Sequence, residues 1–165
     1  CIKFTSADYL WPVKDRLDIS GYCFDEDAPE SSCGKHHGID IAGNSNNVVI
    51  AITDGTIDDV VSDCAGKDKT CGGGLGNYVK IKHNDGRYSL YAHLSSVSSS
   101  VQVGTPIKKD TVIGNVGDTG DSYGEHLHFQ IHDENDKAIN PCSILDCSKS
   151  QPKKCSATPL YASCY

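Results

Sequence analysis

Seven histidines lie along this 165-residue chain, and three groups of residues around them have spacings that chemistry can use. The segment His126-Leu127-His128-Phe129-Gln130-Ile131-His132 alternates polar and apolar residues. Alternate side chains of a strand share a face, so Leu127, Phe129 and Ile131 form an apolar face and His126, His128, Gln130 and His132 the opposite one. Two imidazoles at i and i+2 on a rigid strand can converge on one small volume. The second group is His36-His37-Gly38-Ile39-Asp40. In extended chain His36, Gly38 and Asp40 share a face, with Gly38 leaving room between its two neighbours. An imidazole and a carboxylate suit zinc, and a third ligand from another strand would leave the fourth position open. A catalytic zinc needs that opening, because the metal makes a water nucleophilic near neutral pH and polarises a carbonyl. The third group is Tyr88-Ser89-Leu90-Tyr91-Ala92-His93-Leu94, where alternation directs Tyr91 and His93 to the same side. A histidine outside the metal shell can act as general base or stabilise developing charge. Singly, each pattern is a weak signal, and their joint presence is much stronger. His83 and His132 read as surface or satisfied polar residues.

The elements that must position these residues are β-strands. Apolar runs are short, alternating and punctuated by turn residues, and no long amphipathic helical pattern occurs, so the chain is mainly β. The patterning predicts strands over 48–52, 55–61, 78–83, 88–93, 112–116 and 126–132. Asn84-Asp85-Gly86 between two of them is a hairpin signal. The run Gly72-Gly73-Gly74-Leu75-Gly76 is a loop and lacks the Lys-Ser/Thr of a phosphate-binding loop.

Nine cysteines fit an oxidising compartment. No Cys-x-x-Cys pair occurs, which argues against a cysteine zinc cluster. The odd count leaves one thiol free or bonded elsewhere, unless its partner was removed in processing. Cys64 and Cys71 flank a polar loop and Cys23 and Cys33 an acidic one, which suggests two local disulfides. The acids of the latter loop read as solvated. The chain begins at Cys1 and contains no Met, which we read as a mature secreted form trimmed of its leader. No apolar stretch is long enough for a membrane span, and a net charge of −7 argues against nucleic acid, an anionic lipid surface or simple adhesion to an acidic wall. From Cys142 onward the composition shifts to Ser, Lys, Pro and Cys, and we divide the chain into a main domain, 1–145, and a Cys-rich extension, 146–165, packed on it.

The motifs, in order, resemble the lysostaphin-like, or LytM-type, family of zinc endopeptidases. The similar stretches are Trp11-Pro12-Val13, Ile19-Ser20-Gly21-Tyr22, His36-His37-Gly38-Ile39-Asp40-Ile41-Ala42, residues 51–55, Gly76-Asn77-Tyr78-Val79, Tyr91-Ala92-His93-Leu94, Gly117-Asp118-Thr119-Gly120, Gly124-Glu125-His126-Leu127-His128-Phe129 and Asn140-Pro141. The resemblance runs from Trp11 to Pro141. It implies an antiparallel β-sheet sandwich, of the duplicated hybrid motif or barrel-sandwich type, with a groove over one zinc ion per chain. It implies His36, Asp40 and His128 as zinc ligands, with His37 left on the rim, and His93 and His126 as general base and transition-state stabiliser. The implied substrates are peptide cross-links or stem peptides of bacterial cell walls, often at Gly-containing bonds, cut by a monomer. Two features depart from the family pattern, the acidic loop at 23–33 and the Cys-rich tail, and loops around a groove set specificity. Tyr123 and Glu125 are candidates to line that groove. Rival readings are a non-catalytic wall-binding module, which typically lacks one of the five site residues, and an extracellular protease of Gly-rich proteins with the same chemistry. A D-Ala-D-Ala carboxypeptidase of another fold does not fit the ligand spacing.

Overall fold

The computed structural model describes residues 9–19, 24 and 36–149. Their strands are β1 (Ile39–Ala42), β2 (Val48–Ile50), β3 (Gly55–Val61), β4 (Asn77–His83), β5 (Tyr88–Leu94), β6 (Ser96–Val97), β7 (Pro106–Ile107), β8 (Val112–Asn115), β9 (His126–His132) and β10 (Ala138–Ile139), with short 3-10 turns at Cys71–Gly74, Pro141–Ser143 and Cys147–Lys149. A seven-stranded antiparallel sheet runs β1-β9-β5-β4-β3-β7, with β10 also paired to β9, and a smaller sheet runs β2-β8-β6. The two share one core. Val49 and Ile113 of the small sheet cluster with Ile41, Ile81, Tyr91, Leu127 and Phe129 of the large one. The architecture is therefore the mainly β, antiparallel sandwich expected.

Alternation built these strands as the period of two requires. In β4, Val79 and Ile81 are fully buried while Lys80 and Lys82 face outward. All six predicted strands form, with β3 and β9 at the predicted bounds. β2 stops two residues early because Ala51 and Ile52 leave the ladder for other partners, the Thr111 carbonyl and the Tyr91 hydroxyl. β1, β6, β7 and β10 were not predicted, since two to four residues are too few to show a period. The hairpin from β4 to β5 turns through Asn84-Asp85-Gly86, closed by His83 N–H to the Arg87 carbonyl at 2.8 Å.

The Cys64–Cys71 disulfide forms as expected. The suggested Cys23–Cys33 pair lies outside the described residues. A second disulfide, Cys142–Cys147, was not anticipated. Leu145, inside its loop, is buried in the main core, and Ile144 and Cys147 pack against it. Residues 150–165 lie outside the described residues.

Candidate metal centre

The centre of the large sheet builds the site. Strand β9 pairs with β1 on one edge and β5 on the other, and the register sets Asp40 opposite His128 and Ala92 opposite the same His128. Cross-strand partners share a face, so Asp40 and His128 meet on one face of the sheet, with the small Ala92 beside His128 on the same face. His36 enters from the segment before β1. Gly38 makes this approach possible for a reason other than the one spacing suggested. A Cβ there would lie 2.2 Å from the Phe129 carbonyl oxygen, so the glycine lets two backbones close up and does not make room between ligands.

Three donor atoms converge. His128 Nδ1 lies 2.9 Å from Asp40 Oδ1, His36 Nε2 lies 3.0 Å from the same oxygen, and the two ring nitrogens are 3.1 Å apart. A tetrahedral zinc with bonds of about 2.0–2.1 Å spaces its ligand atoms about 3.3 Å apart, within a few tenths of an ångström of this triangle. Two imidazoles and one carboxylate are also the donor types of open, three-ligand zinc sites, so the residues fit the metal. Asp40 and His128 are buried and His36 is half-buried. Burial would raise the Asp40 carboxyl, but the hydrogen bonds and charges of His128 and His36 hold it well below the usual carboxylate range. Burial pushes His128 down, against the opposing pull of Asp40. A carboxylate and neutral rings are the forms that bind metal. His37 does not line the groove.

His93 reaches the site by a route that strand alternation does not predict. Tyr91, opposite Phe129, faces the core with it, ring to ring at 5.2 Å. Regular alternation would bury His93 on that same side. Instead His93 adopts φ 60°, a left-handed conformation costing on the order of 1–3 kcal/mol for a non-glycine residue. Its ring turns to the opposite face, 4.9 Å from the His126 ring and 5.8 Å from that of His128. The expectation that Tyr91 and His93 point the same way is thereby corrected.

Both outer histidines are fixed by carbonyl oxygens that the motifs did not reveal. His93 Nδ1 is 2.8 Å from the Thr119 carbonyl, and His126 Nδ1 is 2.7 Å from that of Gly124. A carbonyl can only accept, so each Nδ1 carries a hydrogen, and in the neutral ring Nε2 is the bare nitrogen. His126 Nε2 sits 3.6 Å from Asp40 Oδ1. Burial, then the neighbouring His126 and His128, push His93 down to about 4, which keeps it a neutral base at pH 7. The Thr119 carbonyl is itself placed through the Thr119 hydroxyl, which donates to the Leu94 carbonyl and accepts from Asn77 N–H. The sequence signal for this support was the Gly117-Asp118-Thr119-Gly120 stretch, whose role a motif does not disclose.

A groove of about 480 Å³ opens over these five residues, walled by Gly74, Leu75, Asp121, Tyr123, Gly124 and Glu125. Both wall candidates from the sequence are in place. The Tyr123 ring stands 70% exposed with the Lys69 ammonium 5.7 Å from its centroid, and Glu125 accepts from Ser45 N–H.

A β-sandwich that turns two histidines and an aspartate onto one point of a groove, with two more histidines beside them, has the architecture of a metal-dependent hydrolase. The chain belongs to peptidase family M23, whose model matches residues 34–141. It is 39% identical over 109 residues to the DD-carboxypeptidase/endopeptidase Mpg of Neisseria meningitidis serogroup B, covering 66% of this chain and 22% of that protein. It is 36% identical over 115 residues to the murein hydrolase activator NlpD of Escherichia coli, covering 70% of this chain and 27% of that one. The chain thus spans about a quarter or less of these curated relatives. Among solved structures, the catalytic domain of the antimicrobial peptidase lysostaphin from Staphylococcus simulans superposes with a TM-score of 0.61 at 30% identity, covering 86% of this chain and 95% of that one.

Proposed function

We propose that this chain is a secreted zinc metalloendopeptidase that cuts peptide bonds in bacterial peptidoglycan, in cross-links or stem peptides, with Gly-containing bonds favoured. One observation carries the reading. The three-donor triangle of His36, Asp40 and His128 is flanked by two histidines whose Nδ1 hydrogens are committed to carbonyls, so their bare Nε2 atoms are available for proton transfer. The names of the Mpg and NlpD relatives support a wall substrate, that of lysostaphin supports a peptidase, and the lysostaphin-like resemblance supports the glycine preference. The two disulfides support an exported, oxidising setting. The protein acts as a monomer with one zinc.

Held by His36, Asp40 and His128, zinc would supply Lewis acidity to the scissile carbonyl and to a water molecule. The chain's own residues do the rest. One of His93 and His126 takes a proton from the attacking water at its Nε2. The other stabilises the developing oxyanion, as a donor once its Nε2 has taken up a proton. A proton then passes from imidazole to the leaving amine. The groove walls orient the peptide so that its carbonyl lies between the two rings.

The name of the NlpD relative supports a second reading, in which the domain binds wall or activates another hydrolase without cutting. Mass spectrometry of purified peptidoglycan after incubation with the protein separates the two. The proposal expects new peptide termini at one bond type, absent after chelation. Intact fragments with zinc-loaded protein would favour the activator.

A further inference from the structure

The Cys64–Cys71 disulfide stands at the head of two hydrogen-bonded arms, and both arms end on His93. The first leaves Cys64, whose N–H donates to Asn77 Oδ1 at 2.8 Å. Asn77 N–H donates to the Thr119 hydroxyl at 2.9 Å, and the Thr119 carbonyl accepts from His93 Nδ1 at 2.8 Å. Asn77 and Thr119 are both buried, so these links are shielded from water. The second arm leaves Cys71, whose carbonyl accepts from Leu75 N–H and Gly76 N–H. The Leu75 carbonyl in turn accepts from His93 N–H at 2.9 Å. One arm therefore fixes the His93 imidazole, and the other fixes the backbone that carries it at φ 60°.

The arms also grip each other. The Gly66 carbonyl, inside the disulfide loop, accepts from Gly120 N–H at 3.0 Å, and that of Gly74 accepts from Asp121 N–H at 2.8 Å. Lys67 pairs with Asp118 at 3.3 Å and Lys69 with Asp121 at 3.1 Å, but both pairs are exposed and contribute little. The contact is backbone on backbone. A Cβ at Gly76 would lie 2.4 Å from the Thr119 carbonyl oxygen, and one at Gly120 would lie 2.3 Å from the Gly76 nitrogen. What the second arm lacks is stiffness of its own. Gly72, Gly73, Gly74 and Gly76 hold φ of 59°, 64°, 94° and 65°, and a Cβ at Gly73 would meet nothing within 4 Å. Glycine loses more conformational freedom than any other residue on being ordered, and a disulfide offsets such a loss by constraining the chain beforehand. The bridge anchors the run at Cys71, and β4 anchors its other end at Asn77.

We propose that the Cys64–Cys71 disulfide and Thr119 are positioning elements for His93, a role that rests on the reading of His93 as one of the two proton-transferring histidines. Without the bridge the three-donor triangle stays whole, because the pairing of β1 with β9 sets Asp40 against His128. The Leu75 and Thr119 carbonyls lose their fixed places, and His93 loses its aim.

The test places Cys64→Ser/Cys71→Ser in wild-type and in His93→Ala protein and measures turnover of soluble peptidoglycan fragments, bound zinc and amide hydrogen exchange. Misplacing a catalytic group by about 1 Å can cost on the order of 100-fold, so kcat should fall about 10–100-fold with one zinc retained. In His93→Ala the same pair should cost less than about threefold, since an effect that acts through His93 vanishes with it. Exchange of the His93 amide in metal-free protein should speed about tenfold or more, while that of Phe129 in the core stays unchanged. Thr119→Val keeps the volume and loses the hydroxyl, so it should show the same pattern, and Thr119→Ser should restore kcat to within about threefold of wild type. This pair carries the test if Cys64→Ser/Cys71→Ser does not fold. Wild-type kcat in the folded variant, equal losses in the two backgrounds, loss of zinc, the same fall in Cys142→Ser/Cys147→Ser, or unchanged exchange at His93 would each overturn the proposal. Failure of the underlying reading looks different. Zinc-loaded wild type would then release no new peptide ends, or His93→Ala would cut as fast as wild type, while the exchange difference at His93 still appeared.

Discussion

His93 shows what a single residue contributes and what it costs. Its type and its place in Tyr91-Ala92-His93-Leu94 were legible in the sequence, but its direction was not. Alternation assumes regular strand dihedrals, and φ 60° breaks that assumption at this one position. The conformation is held by His93 N–H to the Leu75 carbonyl and by the ring bond to Thr119. Glycine adopts such a φ freely and alanine does not. His93→Gly should therefore unfold at a higher temperature than His93→Ala, by a difference of about 1 kcal/mol in stability; a lower unfolding temperature for the glycine variant would show that the backbone stores no strain there. Both outer histidines lie outside the three-donor triangle. His93→Ala and His126→Ala should each retain one zinc by elemental analysis and lose about 10²–10⁴-fold in turnover. Loss of metal from either variant, while still folded, would move that residue into the ligand set.

At the scale of elements, the site depends on how closely β1 lies against β9. The sequence showed the strand β9 completely, because seven residues of strict alternation are unambiguous. It showed β1 only as extended chain around His36 and Asp40, because four residues carry too little pattern. What no pattern could show is the pairing that sets Asp40 opposite His128, since register is a property of two strands and not of one. Gly38 marks this close approach. Gly38→Ala would push a methyl group into the Phe129 carbonyl, and overpacking of this kind typically costs about 1–3 kcal/mol. We expect that loss in denaturant unfolding of the metal-free protein, together with weaker zinc binding as Asp40 is displaced from His128. Unchanged zinc affinity would mean that the segment yields without moving Asp40.

For the whole molecule, the mainly β class followed from patterning and the sandwich with its groove from the resemblance carried by the ordered motifs, while the short strands did not show because two to four residues carry too little period, nor did the Cys142–Cys147 clip, since pairing cannot be read from cysteine positions even five residues apart. The core also buries polar groups whose protonation links stability to pH. His83 is buried, with Nδ1–H donated to the Asp54 carbonyl and Nε2 facing Ser89. Burial lowers its tendency to protonate, and His93 is lowered to about 4 in the same sense. In the unfolded chain both bind a proton near the ordinary value of 6.5. The unfolded state thus takes up more protons as pH falls, so stability is full above about 6.5 and is lost progressively below it. The unfolding temperature of the metal-free protein should fall between about pH 6.5 and 4.5, and His83→Gln, which cannot titrate, should flatten that fall. An unfolding temperature independent of pH over this range would count against a buried neutral His83. The central claim, a hydrolase whose activity depends on one zinc held by His36, Asp40 and His128, is tested most directly by adding zinc in steps to metal-free protein and measuring the new amino groups released from purified peptidoglycan. We predict release that rises to a break at one equivalent of zinc and is absent in Asp40→Ala at every zinc level. Release without zinc, or none from a fully loaded protein, would contradict the account.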